Sequence, residues 1–198
     1  MGRPRQFDEE RAVESACLVF WAKGFDGTST EELCAATGLN RSSLYNTFQS
    51  KEQLFRRALM RYTTTTTARQ DALLETPGAN GLTRIRSLLA AIVADEAASR
   101  AAGNGSGCFT VNTITSIAAR NSEVAQLIDT DLRKRNSALS TAVLSGQQDG
   151  SIAIDRNPHE AAWYVTTLIS GMRVSAQSGA DRKILDAIAE TALLALTA

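Results

Sequence analysis

The segment from residue 41 to residue 48 carries six side chains that form hydrogen bonds, in a chain of 198 residues. Arg41 and Asn46 belong to the residue types that pair bidentately with guanine and adenine in a DNA major groove. The other four carry hydroxyl groups, which bind base edges or phosphate oxygens. These four residues are Ser42, Ser43, Tyr45 and Thr47. The segment therefore has the composition of a surface that recognises DNA sequence.

Two short helices must hold these side chains in place. Thr28, with Glu31 three residues later, predicts a capping box at the start of the first helix. Gly38 predicts the left-handed residue that ends this helix. Asn40 then predicts the cap of a second helix, 41–48. The polar set lies on this second helix.

The second helix also has an apolar face. Leu44 and Phe48 are four residues apart and share that face, so the polar side chains are left on the other. Ser50, followed by Gln53, repeats the capping box and starts a further helix. Two short helices joined by a Gly-containing turn of about three or four residues have the spacing of a helix-turn-helix motif.

This stretch resembles the signature of TetR-type bacterial transcriptional repressors, over roughly residues 8–62. The motifs that carry the resemblance are Thr28-Ser29-Thr30, Gly38-Leu39, Leu44-Tyr45, Phe48, Ser50-Lys51-Glu52 and Leu54-Phe55. The resemblance implies an all-α, homodimeric regulator with an N-terminal DNA-binding domain, middle helices that enclose a small-molecule pocket, and two last helices that pack with those of a partner.

The resemblance also implies two kinds of DNA contact, to phosphates and to bases. The positions that match phosphate contacts are Thr28, Thr30, Tyr45 and Lys51, and those that match base contacts are Arg41, Ser42, Asn46 and Thr47, with Ser43 suited to either role. Asn46-Thr47 departs from the frequent aromatic or His pair at this point of the family pattern. The operator sequence therefore cannot be copied from relatives.

Charge supports a nucleic-acid partner by its placement only. The formal net charge is zero, and residues 1–62 carry nine Lys or Arg against eight Asp or Glu. Arg3 and Arg5, however, lie in a short arm that Pro4 keeps extended, and arginines in such an arm bind phosphates or a minor groove. A disordered tail without a DNA role is an equally weighted alternative for the arm.

Composition argues against several other classes. The three cysteines have neither a disulfide framework nor the spacing of metal ligands, and His159 is the sole histidine, so we expect no metal and no cofactor. The sequence contains neither a membrane-spanning apolar run nor a signal-peptide core, which predicts a cytoplasmic protein without a membrane partner. A nucleophile with a base, paired carboxylates and a phosphate loop are all missing, so we expect no catalytic residue and no enzyme.

Helical periodicity predicts an all-α fold of about nine helices. The predicted domains are 1–50, the helix-turn-helix DNA-binding domain, and 51–198, the regulatory ligand-binding and dimerisation domain, with the fourth helix connecting them from about residue 51. A constitutive architectural DNA-binding protein is the rival class, but it needs no apolar helical module of about 130 residues.

Two apolar stripes near the C-terminus are interpreted as the dimer interface. Their residues are Val165, Leu168, Ile169, Met172, Leu185, Ile188, Ala192, Leu193 and Leu196. The alternative is that both stripes pack within the hydrophobic core of the single chain. Apolar residues on more than one face favour dimerisation.

A mixture of aromatic and sparse polar side chains suggests the lining of an effector pocket within residues 82–175, for a small and largely apolar molecule. The candidates are Phe109, Asn112, Thr113, Ser116, Trp163, Tyr164 and Met172, any of which is alternatively ordinary core. The run Thr63–Thr67 is either a polar cavity wall or, as its modest helix propensity favours, a solvated part of a long helix.

Cys108 lies where a glycine-rich segment meets a predicted helix start. A helix N-terminus stabilises a thiolate, and the run Gly107-Cys108-x-x-x-Asn112 is similar to a subset of TetR-type regulators, some of which sense electrophiles or oxidants. The commoner role is that of a small packing residue. The leading hypothesis is thus a repressor released from a palindromic operator by a small molecule of unidentified class, with thiol-based sensing through Cys108 as the alternative.

Overall fold

The computed structural model describes residues 8–101 and 107–197. Within these ranges the chain forms nine α-helices, one 3₁₀ helix and no strand, which confirms the predicted all-α class. The helices are α1 (Glu9–Lys23), α2 (Thr30–Thr37), α3 (Arg41–Phe48), α4 (Lys51–Leu74), α5 (Gly81–Ala101), α6 (Phe109–Ser116), α7 (Ser122–Gln148), α8 (Pro158–Gln177) and α9 (Arg182–Thr197), with the 3₁₀ helix Ala118–Arg120 between α6 and α7.

The start of α2 differs from the prediction by one residue. Ser29 is the N-cap, and its hydroxyl accepts a hydrogen bond from the N–H of Glu32, whose carboxylate in turn accepts from the Ser29 N–H at 2.8 Å. The Thr28 hydroxyl instead donates to the carbonyl oxygen of Gly24 at 2.7 Å. Thr28 therefore stabilises the turn that follows α1. The capping box forms at the next residue, Ser29, whose backbone is extended.

The first hydrophobic core joins α1, α2, α3 and the first half of α4. Phe20 of α1 packs edge-on against Phe55 of α4 with ring centroids 5.0 Å apart, and Phe55 packs in the same way against Phe109 of α6 at 5.6 Å. Leu44 and Phe48 of α3 are buried in this core. The core thus extends from the DNA-binding helices into the regulatory helices.

The second core contains α5, α7, α8, α9 and the C-terminal end of α4. Most of the predicted dimer stripe lies in it. Seven residues of that stripe are buried inside the single chain: Val165, Ile169, Met172, Leu185, Ala192, Leu193 and Leu196. Leu168 and Ile188 are partly buried and pack against the same core. Assigning the seven buried side chains to the dimer interface was therefore wrong, because the strongest apolar face of each helix packs against its own chain. The assignment of Leu168 and Ile188, which are partly exposed, stays a prediction.

The segment before α6 is only partly described. The glycine-rich segment before Cys108 lies outside the described residues except for Gly107, which has a φ of +60°. The Gly107 carbonyl oxygen accepts a hydrogen bond from Trp21 Nε1 at 2.6 Å. The helix predicted to start at Cys108 runs from Phe109 to Ser116 and is followed by the 3₁₀ helix. In the described part of the chain, no helix is long and apolar enough to cross a membrane.

Candidate nucleic-acid interface and regulatory cavities

Local sequence fixes the position of α3 relative to α2. Gly38 takes the left-handed conformation at the end of α2, with φ 71° and ψ 15°, and Asn40 caps α3 by accepting a hydrogen bond from the Ser43 N–H at 2.8 Å. Leu44 and Phe48 then anchor one face of α3 in the core. The opposite face of α3 is left to solvent.

That outer face carries the predicted base-contacting residues. Arg41, Ser42 and Asn46 are exposed, whereas Ser43 and Thr47 are half-buried. The Thr47 hydroxyl donates to the carbonyl oxygen of Ser43 at 2.9 Å. The Thr47 side chain can therefore contact a ligand through its methyl group, or accept a hydrogen bond through its oxygen. The structure thus places these five residues on one short helix, with the most polar of them outermost.

Two of the predicted phosphate-contacting residues are held by packing. The Tyr45 hydroxyl oxygen lies 3.1 Å from that of Thr30. The Arg41 guanidinium carbon lies 5.8 Å from the centroid of the Tyr45 ring. Lys51, the first residue of α4, has its ammonium nitrogen 4.5 Å from the ring centroid of Phe25. These contacts hold polar and cationic groups at the helix starts, where anions are favoured.

Of the remaining predicted DNA contacts, the structure contradicts that of Thr28 and does not test those of Arg3 and Arg5. Thr28 is 2% exposed and its hydroxyl is bonded to Gly24, so the predicted contact between its side chain and a phosphate is wrong. Its burial makes it a support for the turn before α2. Arg3 and Arg5 lie outside the described residues.

The capping carboxylate of α2 is ionised over the whole neutral range. The hydrogen bond from Lys23 and then that from the Ser29 N–H lower the pKa of Glu32 to about 2. Lys23 also neutralises this carboxylate as an ion pair. Glu32 therefore adds little repulsion toward a phosphate at the start of α2.

A cavity of about 190 Å³ lies among α4, α6, α7 and α8. Thr63 and Thr67 of α4 border it and are buried, and the Thr67 hydroxyl donates to Asp131 Oδ1 of α7 at 2.6 Å. The favoured interpretation of the threonine run as a solvated stretch was therefore wrong for these two residues. Propensity carries no information about the packing of α7 against this face.

A larger cavity of about 410 Å³ lies among α1, α4, α5 and α8. Tyr62, Thr66 and Arg173 border both cavities and form the wall between them. Tyr62 and Arg173 were not among the predicted pocket residues, whereas Thr66 belongs to the threonine run for which a polar cavity wall was the alternative interpretation. The sequence did contain a signal that Arg173 is unusual. It lies four residues after Ile169, so a cation occupies a position on the apolar face of α8.

The predicted pocket residues do not come together. Phe109, Asn112, Thr113 and Ser116 border a third space of about 320 Å³ between α1 and α6, while Trp163 borders the 190 Å³ cavity. Tyr164 is exposed and lies outside these three spaces, and Met172 is buried in the second core. The single pocket predicted from these seven residues is therefore wrong.

Cys108 is the N-cap residue of α6 and forms no side-chain capping bond. It is buried, borders the 190 Å³ cavity, and has its sulfur 3.6 Å from the hydroxyl oxygen of Tyr62. Burial, followed by the proximity of Cys108, raises the pKa of Tyr62 above its usual range. At neutral pH the phenol is thus a neutral hydrogen-bonding group beside the thiol.

Arg173 and Glu96 form a buried ion pair between α8 and α5. Arg173 Nη1 lies 3.5 Å from Glu96 Oε1, and the two residues are 6% and 8% exposed. Burial raises the pKa of Glu96, although Arg173 opposes the shift. Among the described residues, no group of His, Cys, Asp and Glu side chains has the arrangement of a metal site.

Comparison with known proteins connects this geometry to a family. Residues 12–58 match the model of bacterial regulatory proteins of the tetR family, and residues 81–192 match that of the tetracyclin repressor-like C-terminal domain. The chain is 30% identical over 192 residues to the HTH-type transcriptional repressor ComR of Escherichia coli strain K12, covering 97% of this chain and 90% of ComR.

Two further similarities concern the DNA-binding end and the fold. The HTH-type transcriptional repressor BdcR of the same E. coli strain is 46% identical over 61 residues, which is 31% of each chain. A cysteine mutant of the TetR family regulator CifR, solved in complex with a 26-bp double-strand operator DNA, superposes with a TM-score of 0.84 at 28% identity, covering 98% of this chain and all of that one.

Proposed function

The chain belongs to the TetR family of bacterial regulators and is a helix-turn-helix, DNA-binding transcriptional repressor, and from that premise we propose that a homodimer of it binds a palindromic operator until a small molecule occupies the 190 Å³ cavity. The observation that carries the proposal is the exposed polar face of α3, which Leu44 and Phe48 hold outward from the core.

We assign two kinds of DNA contact to this interface. Arg41, Ser42 and Asn46 contact base edges, because they are exposed on α3. Tyr45 and Lys51 contact phosphates and set the register of α3 in the groove, since both are held by neighbouring side chains. The remaining predicted contacts keep their roles: Thr30 for phosphates, Thr47 for bases, and Ser43 for either. Residues 1–50 are the proposed DNA-binding domain.

The proposed dimer uses a second apolar face on each of the last two helices. Tyr164 and Val174 on α8, and Ile184 and Leu194 on α9, are exposed large apolar side chains. Their spacing places each pair on one side of its helix, opposite the buried stripe. Two such helices from each chain form a four-helix bundle that orients both α3 helices toward the same DNA duplex.

Helix α4 connects the effector site to the DNA. Its first residue is Lys51 at the interface, and about three to four turns further along its hydroxyl side chains border the 190 Å³ cavity. A molecule in the cavity contacts Thr63, Thr66 and Thr67 directly. Release requires that this molecule bind the DNA-free conformation more tightly, since equal affinity for both conformations shifts nothing.

The test is selection of bound DNA from a random pool by the purified protein without effector. We expect a two-fold symmetric site whose half-sites are about one helical turn apart or somewhat more. A selected site without symmetry, or a protein that remains monomeric in solution, rejects the proposal.

A second candidate trigger is modification of Cys108. The supporting observation is that its sulfur borders the effector cavity beside Tyr62, so an adduct occupies the same space as an effector. The two triggers act on one cavity and differ in whether a covalent bond forms.

A further inference from the structure

Arg173 is a cation inside the regulatory core, and it borders both the 190 Å³ and the 410 Å³ cavities. Within the described part of the chain it has one ion pair, the 3.5 Å contact from Nη1 to Glu96 Oε1. A guanidinium carries five N–H donors. One contact at the limit of hydrogen-bond length therefore leaves most of these donors without a carboxylate partner.

The other arginines of the larger cavity have their own acidic partners. Arg61 pairs with Glu10 and Glu14, each at 3.2 Å, and Arg69 pairs with Asp95. Arg173 is therefore the weakly paired cation of this set. Its partner Glu96 borders the larger cavity and is absent from the lining of the smaller one.

In the 190 Å³ cavity the acidic side chain is already paired. Asp131 lies 3.0 Å from Arg135 Nε and accepts the hydrogen bond from Thr67. Arg173 is thus the positive charge that no carboxylate of this cavity balances. Burying a charge with incomplete pairing raises the free energy of the folded protein, and an anion that enters the cavity stabilises that charge.

We propose, building on the proposed release function, that the molecule which occupies the 190 Å³ cavity is a small carboxylate whose acid group pairs with Arg173. A planar guanidinium binds a carboxylate through two parallel hydrogen bonds. Thr66 and Thr110 provide hydroxyl groups that border the same cavity, and Ile114 and Trp163 provide apolar surface at its exposed rim.

The size and charge of the site favour a carboxylate over a phosphate. A phosphate monoester carries a charge of about −1.5 to −2 at neutral pH. The cavity supplies one incompletely paired cation, which balances a single negative charge. The cavity is also small compared with the roughly 300–1,000 Å³ of drug-sized ligand sites. A compact acid with an apolar body fits these limits.

The experiment is calorimetric titration of the full-length protein, without DNA, with benzoate and hexanoate and with their uncharged counterparts benzamide and hexanamide. We expect at least one acid to bind about tenfold or more tightly than its amide, because hydrogen bonds to charged groups are the stronger ones. The double variant Arg173→Met, Glu96→Gln should lose this preference while neither buried charge is left without a partner.

Arg69→Met is the matched control, because Arg69 borders only the larger cavity. It should keep the preference for acids. Equal affinity for acid and amide, no binding of either acid at millimolar concentration, or a preference that survives in the double variant overturns the proposal. The comparison on the parent protein requires no variant to fold. Operator selection is independent of these titrations, so a failure here leaves the proposed repressor function standing.

Discussion

The hydroxyl oxygens of Thr30 and Tyr45 lie 3.1 Å apart and join the first residue of α2 to the middle of α3. The apolar contacts of α3 hold it against the core, and this hydrogen bond adds a polar link on the side that faces solvent. The strength of this hydrogen bond affects how rigidly α3 is oriented in the DNA-free protein.

Tyr45→Phe removes this link while keeping the ring that packs beside Arg41. We expect the free energy of unfolding to fall by about 0.5–1.5 kcal/mol, the net contribution of one hydrogen bond. Urea denaturation of Tyr45→Phe, Thr30→Val and the double variant measures the coupling. Purely additive effects mean that the two hydroxyls do not stabilise each other in solution.

Replacing Arg41 or Lys51 by alanine should change DNA binding in two different ways. Arg41→Ala should cost about 1–3 kcal/mol of operator binding and relax sequence preference, because it removes a contact to a base. Lys51→Ala should weaken operator and random DNA alike and reduce the salt slope by about one. Fluorescence anisotropy at several salt concentrations separates the two. Equal effects of both variants on specific and random DNA contradict the assignment of contacts.

Much of the DNA-binding end could be predicted from sequence because its signals are local. The cap at Asn40, the left-handed Gly38 and the spacing of Leu44 and Phe48 each depend on residues within one or two turns. The cap at Ser29 was missed because Thr28 has the same chemistry and a contact with Gly24 decides between them. Gln49, which ends α3 at a φ of 66°, carries no such signal.

The regulatory end was less predictable because its decisive contacts are distant in sequence. Periodicity shows that α8 is apolar on more than one face, but it does not tell which face packs within the chain. Ile169 lies in the core and Val174 on the surface, although both are β-branched apolar residues. The cavity wall at Thr67 is likewise defined by Asp131, which lies 64 residues away in the chain.

Glu32 predicts a defined acid dependence of the helix-turn-helix. Its folded pKa of about 2 lies below the ordinary value of 4.5, so its contribution is present above about pH 4.5 and is lost as the pH falls toward 2. Glu32→Gln keeps a capping side chain and removes the titrating charge. The stability difference between parent and variant, measured by urea denaturation, should shrink steadily from pH 6 to about pH 2. A difference that does not change with pH contradicts the assigned role of the charge.

Leu194→Glu tests the proposed dimer face. The Leu194 side chain is 67% exposed in the single chain, so a charge there leaves the fold intact but opposes burial between two chains. We expect monomers in sedimentation velocity, unchanged helical circular dichroism and loss of operator binding. Ile154→Glu is the control, since Ile154 is 80% exposed and lies between α7 and α8. Loss of the dimer in both variants, or in neither, contradicts the assignment.

The thiol of Cys108 provides the last prediction. Burial raises the pKa of Cys17 to about 11, so at neutral pH this residue is a slow internal reference for thiol reactivity. Cys108 borders the 190 Å³ cavity and lies at the start of α6. If it is a sensor, a charged alkylating reagent should modify Cys108 faster than Cys17 and Cys34, as followed by mass spectrometry of peptides.

Alkylation of Cys108 should also lower operator affinity, because the adduct occupies the space beside Tyr62 and pushes against α4. Cys108→Ser should bind the operator like the parent and keep its affinity after treatment with the reagent. Cys34→Ser, which leaves Cys108 in place, should still lose affinity on treatment. A Cys108 that reacts no faster than the other two thiols, or an alkylated protein with full operator affinity, makes the residue a packing side chain and leaves reversible ligand binding as the trigger.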